Sequence, residues 1–329
     1  MKAVYYDQLG PAAEVLKLED LPIPTPEAGE VRIKVLWSGV NPSDCKSRSG
    51  LRIKNIPYPR VIPHSDGMGI IDAVGRGLDP ALIGKRVWVW NAARGRAHGT
   101  ACEYLCLPME QAVDLPTNVT DETGACLGVP ALTAMHAILM GESVLGKKVF
   151  IAGGAGAVGN YAIQMATQLG AAQVITSVSS VEKAAIAKAA GADHVILYKE
   201  KSVVEQIAEI TQGSGVDKVI ELDIAANGCM DIEILRPGGE CIVYGSSATS
   251  FELPFYPLIS KNLQLKFFIV YDLTSENRAR AISVLTDLLS RGSLTHHIAG
   301  HFSIDKVIQA HELVESGKAI GKVLIKLSE

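Results

Sequence analysis

The sequence predicts an α/β protein of two domains, one β-rich and one built on a doubly wound parallel sheet. Three observations predict it. Residues 1 to about 120 hold short alternating apolar runs, punctuated by proline and glycine, with few helical stretches. Beyond about residue 148, strand-like and helix-like runs alternate regularly. Where the two textures meet, VFIAGGAGAVG (149–159) reads as a short buried strand entering a glycine-rich turn. At 329 residues, each of two domains can bury a core of its own.

Taken in order, Val31 to Val35 alternates as a strand should, and Lys85 to Trp90 is a second candidate. LPIPTPEAGE and the stretch around Pro57, Pro59 and Pro63 read as loops. NAARGRAHGT (91–100) is either a solvated loop or a cleft rim, with Arg94 and Arg96 read as solvated. ACEYLCLP reads as strand, which would put Cys102 and Cys106 on one face. DETGACLGVPALTAMHAILM (121–140) reads as one helix, with Thr120 or Asp121 as N-cap.

Strands are predicted at 148–152, 173–178, 194–198, 217–222 and 240–245. Helices are predicted at 159–169, 181–190, 202–211 and about 226–235, with Gly170 and Gly191 where helix C-caps belong. Such alternation implies parallel strands with right-handed crossovers. Leu263 to Val270 adds an edge strand. A helix from about Ser275 to Ser290, a short one near 304–316 and a strand at 321–327 close the chain.

Composition bounds the function. A 48% hydrophobic and 20% charged chain is ordinary for a soluble enzyme, and a net charge of −4 gives no electrostatic case for nucleic acid or an anionic membrane. The start, MKAVYYDQLG, lacks the apolar core of a signal peptide, and no apolar run reaches membrane-spanning length, so a cytoplasmic location is expected. Six cysteines (45, 102, 106, 126, 229 and 241) show neither a disulfide framework nor paired metal spacing.

Gly154-x-Gly156-x-x-Gly159 has dinucleotide-binding spacing, and a helical pattern from Asn160 to Leu169 follows it. The glycines suit a tight turn, close approach to pyrophosphate, and close helix–strand packing; the amides at the helix start would face the phosphates. The next strand ends QVITSVSS without an acid at its tip, and Glu182 comes only after the turn. A ribose 2′-phosphate would be repelled by a carboxylate, whereas Ser177, Ser179, Ser180 and Lys183 suit it, at roughly 1.5–3 kcal/mol per charge-assisted bond. NADPH is therefore the predicted cofactor.

GVNPSD (39–44), IPHSDGMGIIDAVG (62–75), GTACEY (99–104), LGVPALTA (127–134), GGAGAVG (153–159), LRPGGECIVYGS (235–246) and IGKVLIKL (320–327) occur in a telling order. In these the chain resembles the zinc-free, zeta-crystallin-like quinone oxidoreductases of the medium-chain dehydrogenase/reductase superfamily. The resemblance implies a GroES-like catalytic domain over 1–122, completed by 266–329, and a Rossmann domain over 123–265. It also implies NADPH, a quinone bound between the domains, and a homodimer formed through the Rossmann edge strand.

The positions matching the catalytic zinc ligands of metal-dependent relatives are Asn41, Ser65 and Val129, an unsuitable donor set, with His64 beside them read as structural. Cofactor contacts carry over to Thr133, Ala155, Gly156, Ala157, Val158, Thr176, Ser177, Lys183, Tyr198, Tyr244, Gly245, Ser246, Phe268, Ile269 and Val270. Asn41 is a candidate for hydrogen-bonding the acceptor oxygen, or else a turn-forming residue before Pro42. Lys46 stands where NPxxxY relatives carry tyrosine, and either favours a polar acceptor or points into solvent. An alkenal or enone reductase is the alternative reaction. An NADPH-binding structural or RNA-binding role of the zeta-crystallin type is the alternative of another class.

Overall fold

The computed structural model describes residues 1–327. The chain divides into two compact units, Met1–Val129 together with the segment from His296 onward, and Pro130–Thr295. In chain order, the first part of unit one holds β1 (Lys2–Tyr5), α1 (Ala12–Val15), β2 (Lys17–Asp20), β3 (Glu30–Val40), α2 (Pro42–Arg48), β4 (Asp66–Val74), β5 (Arg86–Val89), β6 (Tyr104–Pro108), β7 (Ala112–Asp114) and α3 (Asp121–Gly124). A π-turn, Leu127–Ala131, leads on to α4 (Leu132–Leu139). Unit two continues with β8 (Lys148–Ala152), α5 (Ala157–Gln168), β9 (Gln173–Val178), α6 (Val181–Ala189), β10 (His194–Leu197), α7 (Val203–Ile210), β11 (Val216–Glu221), α8 (Ile224–Ile234), β12 (Leu235–Val243), α9 (Phe255–Ser260), β13 (Gln264–Phe267) and α10 (Ser275–Ser290). The chain then re-enters unit one with β14 (Ile298–Ser303), α11 (Val307–Glu315) and β15 (Lys322–Lys326).

The large sheet of unit one runs β14-β15-β3-β4-β5-β7, with β6 also paired to β3. One edge of β3 serves two partners, residues 30–34 pairing with β6 and 37–40 with β15. Register shifts against β4 after Arg32 and Val35 supply the extra twist that this division needs. Val31, Ile33 and Val35 point into a core shared with Val87, Leu105, Leu107, Val323 and Ile325. Asn41 and Lys322 are thereby fixed at neighbouring strand ends.

Unit two is a parallel sheet in the order β10-β9-β8-β11-β12-β13. Its central strands are buried over VFIA, VIT and KVIE, mostly apolar, because helices cover both faces. The order reverses between β8 and β11, the switch point beside which ligands bind in such sheets. Gly170 and Gly191 follow α5 and α6 with φ of +83° and +103°, the left-handed caps read from the sequence.

Three features differ from the sequence reading. The helix expected over 121–140 is broken: Thr120 caps only α3, and Pro130 lies inside the π-turn, where it has no N–H for the helical ladder. Gly128 within that turn lies so close to β4 that a Cβ would sit 2.5 Å from Asp66 Oδ1 and Val89 O. The return to unit one comes at 296 rather than 266, because α10 packs against α4 within unit two, and the first boundary falls at 129 rather than 122. Cys102 and Cys106 do not lie on one continuous strand: Cys102 precedes β6, in an isolated bridge with Ala3, and is fully buried, while Cys106 lies within β6 and is half-buried.

Candidate active site

Beyond β8 the chain turns at Gly153, whose φ is +70°, and enters α5 with Gly156 at the N-cap. Among the described residues no side chain caps this helix, so its first-turn amides are left for a ligand to satisfy. The N–H groups of Gly153 and Gly154 donate to Ser177 O at 3.1 and 3.3 Å, tying the turn to the tip of β9. A Cβ at Gly154 would lie 2.2 Å from Thr176 Oγ1, and one at Gly159 2.3 Å from Gly153 O. Glycine is therefore required at both positions by close packing. The turn sits at the switch point, as a dinucleotide requires.

The residues read as holding a ribose phosphate divide. Ser177, largely buried, is the penultimate residue of β9, Lys183 is half-buried in the first turn of α6, and Tyr198 is half exposed just past β10. Ser180 is occupied as the N-cap of α6, accepting from Lys183 N. Thr176 is a correction: its side chain is fully buried and its hydroxyl donates to Ile151 O at 2.6 Å, so it supports the turn and is withdrawn from any phosphate.

A cavity of about 500 Å³ lies at the ends of β12 and β13, lined by Tyr244, Gly245, Ser246, Phe267, Phe268 and Ile269 among others. His136 meets the edge of Phe268 with ring centroids 4.7 Å apart. Burial, and then Arg278 and Arg280, hold His136 below the usual histidine range. Val270 does not line this cavity; it is buried in a 3₁₀ turn, and its carbonyl accepts from Arg278 at 2.9 Å. Thr133 is nearly buried in the first turn of α4.

Unit one contains a second polar centre. The Lys322 ammonium is held by Asp66 Oδ2 and Asn41 Oδ1, and Asn41 Nδ2 donates to Asp66 Oδ2 at 2.9 Å. Asn41 also N-caps α2, its N–H donating to Asp44 Oδ2 at 2.8 Å. In place of a free amide aimed at an acceptor, Asn41 has both side-chain heavy atoms committed inside the protein. Asp44 is pushed up to about 7, by burial first and Asp66 second, with Lys322 opposing. One cation faces two buried carboxyls, and Asp66 holds it directly. Lys46 is exposed one turn along α2.

His64 adopts φ +77° and is fully buried. Thr100 must donate to the Asp66 carbonyl, so Ser38 donates to Thr100 at 2.7 Å and His64 Nδ1–H donates to Ser38 at 2.8 Å. His64 Nε2 then accepts from His311 at 2.8 Å, and Cys45 lies 3.5 Å from His311 Nδ1. Both His64 nitrogens are thus spent on structure. Arg96 also differs from its reading as a solvated residue, being half-buried with Nη2 bonded to Gln111 Oε1 at 2.6 Å.

Residues 27–117 match the alcohol dehydrogenase GroES-like domain, and 157–287 match the zinc-binding dehydrogenase domain. The quinone oxidoreductase of Lama guanicoe is 31% identical over 99% of this chain and 98% of its own length. The chain belongs to the quinone oxidoreductase family. A mycobacterial protein of the same fold, solved with NADPH, superposes with a TM-score of 0.88 at 28% identity over 99% of this chain and all of that one. A structure described as an NAD-dependent alcohol dehydrogenase superposes at 0.90 with 27% identity, each chain fully covered. The fold is that of the medium-chain dehydrogenase/reductase superfamily.

Within this superfamily the zinc question can be put to the residues themselves. Asn41 is already bonded to an ammonium, Ser65 offers a weak hydroxyl, and Val129 has no donor. A divalent ion beside Lys322 would meet like charge, so the residues do not fit zinc. Lys322 is the functional neighbour that the sequence reading missed. It looks like an ordinary charge opening an apolar strand, and only the β3–β15 pairing brings it to Asn41, 281 positions away.

Proposed function

We propose that this quinone oxidoreductase family member is an NADPH-dependent quinone reductase that works by direct hydride transfer without a metal. The observation that carries the reading is the uncapped glycine turn at the switch point of a chain similar to quinone oxidoreductases from end to end. Bound NADPH supplies the hydride. The amides of Gly156, Ala157 and Val158, with Ala155 beside them, balance the pyrophosphate charge. Ser177 and Lys183 bind the 2′-phosphate, where a carboxylate would repel it. Tyr198 stacks on the adenine side. Thr133, Tyr244, Gly245, Ser246, Phe268 and Ile269 orient the nicotinamide, largely through backbone and ring faces.

Quinone reduction asks little of the protein beyond this. The product is a delocalised phenolate of low basicity that water can protonate, so no Lewis acid or protein proton donor is needed at the acceptor oxygen. Holding both partners in place is worth on the order of 7–11 kcal/mol of barrier. Asn41 acts as a positioning residue through Asp66 and Lys322, and Lys46 biases the acceptor toward polar or anionic quinones. NADPH oxidation with 9,10-phenanthrenequinone, 1,4-benzoquinone and a simple alkenal in parallel tests the reading; activity with the alkenal alone rejects it in favour of enone reduction. Tight NADPH binding with no turnover on any acceptor would favour a structural role instead.

We further propose a homodimer through β13. This strand is the sheet edge, and Phe267 within it and Ile269 just beyond it are exposed, as are Phe255, Tyr256 and Ile259 on α9. A bare apolar edge of this kind is a template for strand pairing. Light scattering coupled to size exclusion should give twice the mass of one chain, and a monomer would refute it.

A further inference from the structure

We propose that Glu221 and Asp231 share one proton that holds the Tyr244–Ser247 segment in place, so that NADPH affinity falls when this proton leaves in alkali. The inference rests on reading that segment as the nicotinamide support. Glu221 is the last residue of β11, on the far side of the switch point from the glycine turn, and Asp231 lies on α8. Both are completely buried. Asn227, which donates to Glu221, and Asp231 lie one turn apart on the same face of α8, so the two buried carboxyls are neighbours; two carboxylates cannot share such a site, so one carries a proton.

Donor and acceptor accounting says which. Glu221 Oε1 accepts from Asp223 N and from Asn227 Nδ2, the latter at 2.9 Å, and these bonds favour the ionised form. Among the described residues Glu221 Oε2 and Asp231 Oδ1 have no donor, and a proton on Asp231 placed between them satisfies both. Burial and the Glu221 charge push Asp231 up to about 9. The other groups facing the pair are Asp223, the Cys241 thiol 4.0 Å from Asp231 Oδ2, and the Tyr244 phenol, which burial and then Glu221 hold far above its usual range. None of these supplies a positive charge to replace the proton.

The pair is tied directly to the cofactor side. Glu221 O accepts from Tyr244 N at 3.0 Å, Asp223 Oδ1 accepts from Ser247 N at 2.7 Å, and Gly245 O accepts from Ile224 N at 3.2 Å. Gly245 lies so close to Leu222 that a Cβ would be 2.1 Å from its carbonyl oxygen. The 221–224 turn and the 244–247 segment therefore move together. When Asp231 gives its proton to solvent, two adjacent carboxylates repel and displace this unit.

The test uses the whole protein and its Asp231→Asn variant, whose amide still donates to Glu221 Oε2 but cannot ionise. The infrared difference spectrum of wild type minus D231N at pH 8, where Asp44 is largely ionised, should show the carbonyl stretch of a buried carboxylic acid; its absence from that difference overturns the proposal. NADPH titration by fluorescence should show affinity falling about tenfold from pH 8 to pH 10 in the wild type, as one proton lost near pH 9 requires, and less than threefold in D231N. An equal alkaline fall in both proteins overturns the proposal. Glu221→Gln, which keeps both accepted N–H bonds, should flatten the profile likewise and serves if D231N does not fold. A wild type that shows the infrared band but binds no NADPH near neutral pH overturns the cofactor reading, and with it the link to affinity. Normal neutral binding without an alkaline fall overturns the link alone.

Discussion

Replacing Lys322 by methionine removes the ammonium that Asp66 and Asn41 hold between β3, β4 and β15. Lys322 is 3% exposed and Asp66 is fully buried, so the carboxylate left behind has no route to water. Removing one partner of a buried pair typically costs about 3–5 kcal/mol, well above the ~0–1 kcal/mol of a surface pair. The cost should sit in unit one, and the three tryptophans, Trp37, Trp88 and Trp90, all lie there, so their fluorescence reports the unit concerned. With a urea slope near 2 kcal/mol/M, the midpoint of that transition should fall by about 1.5–2.5 M. Asp66→Asn combined with K322M removes the stranded charge and should recover most of the loss. A K322M shift below about 0.5 M, or a double variant no better than the single one, would refute the view that this buried ion pair organises the Asn41 corner.

Other predictions follow from the same geometry. Asp44 stays protonated to about 7 in the native state against 3.8 in the unfolded chain, so it favours folding below about pH 4, and that contribution is lost as pH rises to 7. Asp44→Asn abolishes this loss; relative to wild type it should gain on the order of 4 kcal/mol between pH 4 and 7.5, and an unchanged difference across that window counts against it. The buried His311, held down to about 3, acts in the opposite sense over the same window, which is why the difference between variant and wild type is the quantity to measure. Lys183→Ala should weaken NADPH binding about tenfold or more while leaving NADH nearly untouched; parallel titrations check it, and an equal effect on both would remove Lys183 from the phosphate site. Gly159→Ala places a Cβ 2.3 Å from Gly153 O and must displace the turn, at a cost of about 1–3 kcal/mol, so NADPH affinity should drop roughly ten- to hundredfold by calorimetry.

Much of unit two was legible because its signals are local. Apolar runs such as VFIA, and glycines following helices, fix strand and cap positions within a few residues, and α10 begins and ends where the sequence placed it. The broken helix over 121–140 was misread because its apolar pattern outweighed Pro130, whose effect depends on the close approach of Gly128 to β4. Thr176 alternates correctly along β9, yet the sequence does not reveal that its hydroxyl turns inward to Ile151. Asn41, Asp66 and Lys322 lie on three separate strands or their ends, and Glu221 and Asp231 on a strand and a helix. Both clusters are products of tertiary pairing, with no short-range signature. The sequence marks where a dinucleotide would lie; the buried polar clusters within each unit emerge only from the packed chain.

We propose that this family member reduces quinones with NADPH and no metal. Steady-state NADPH oxidation by the purified full chain, after exhaustive treatment with a chelator, with 9,10-phenanthrenequinone as acceptor and NADH as the competing donor, addresses it directly. Sustained turnover that survives chelation and prefers NADPH by about tenfold or more is the predicted result. Turnover that disappears with the chelator and returns with zinc, or that runs better on NADH, would contradict it.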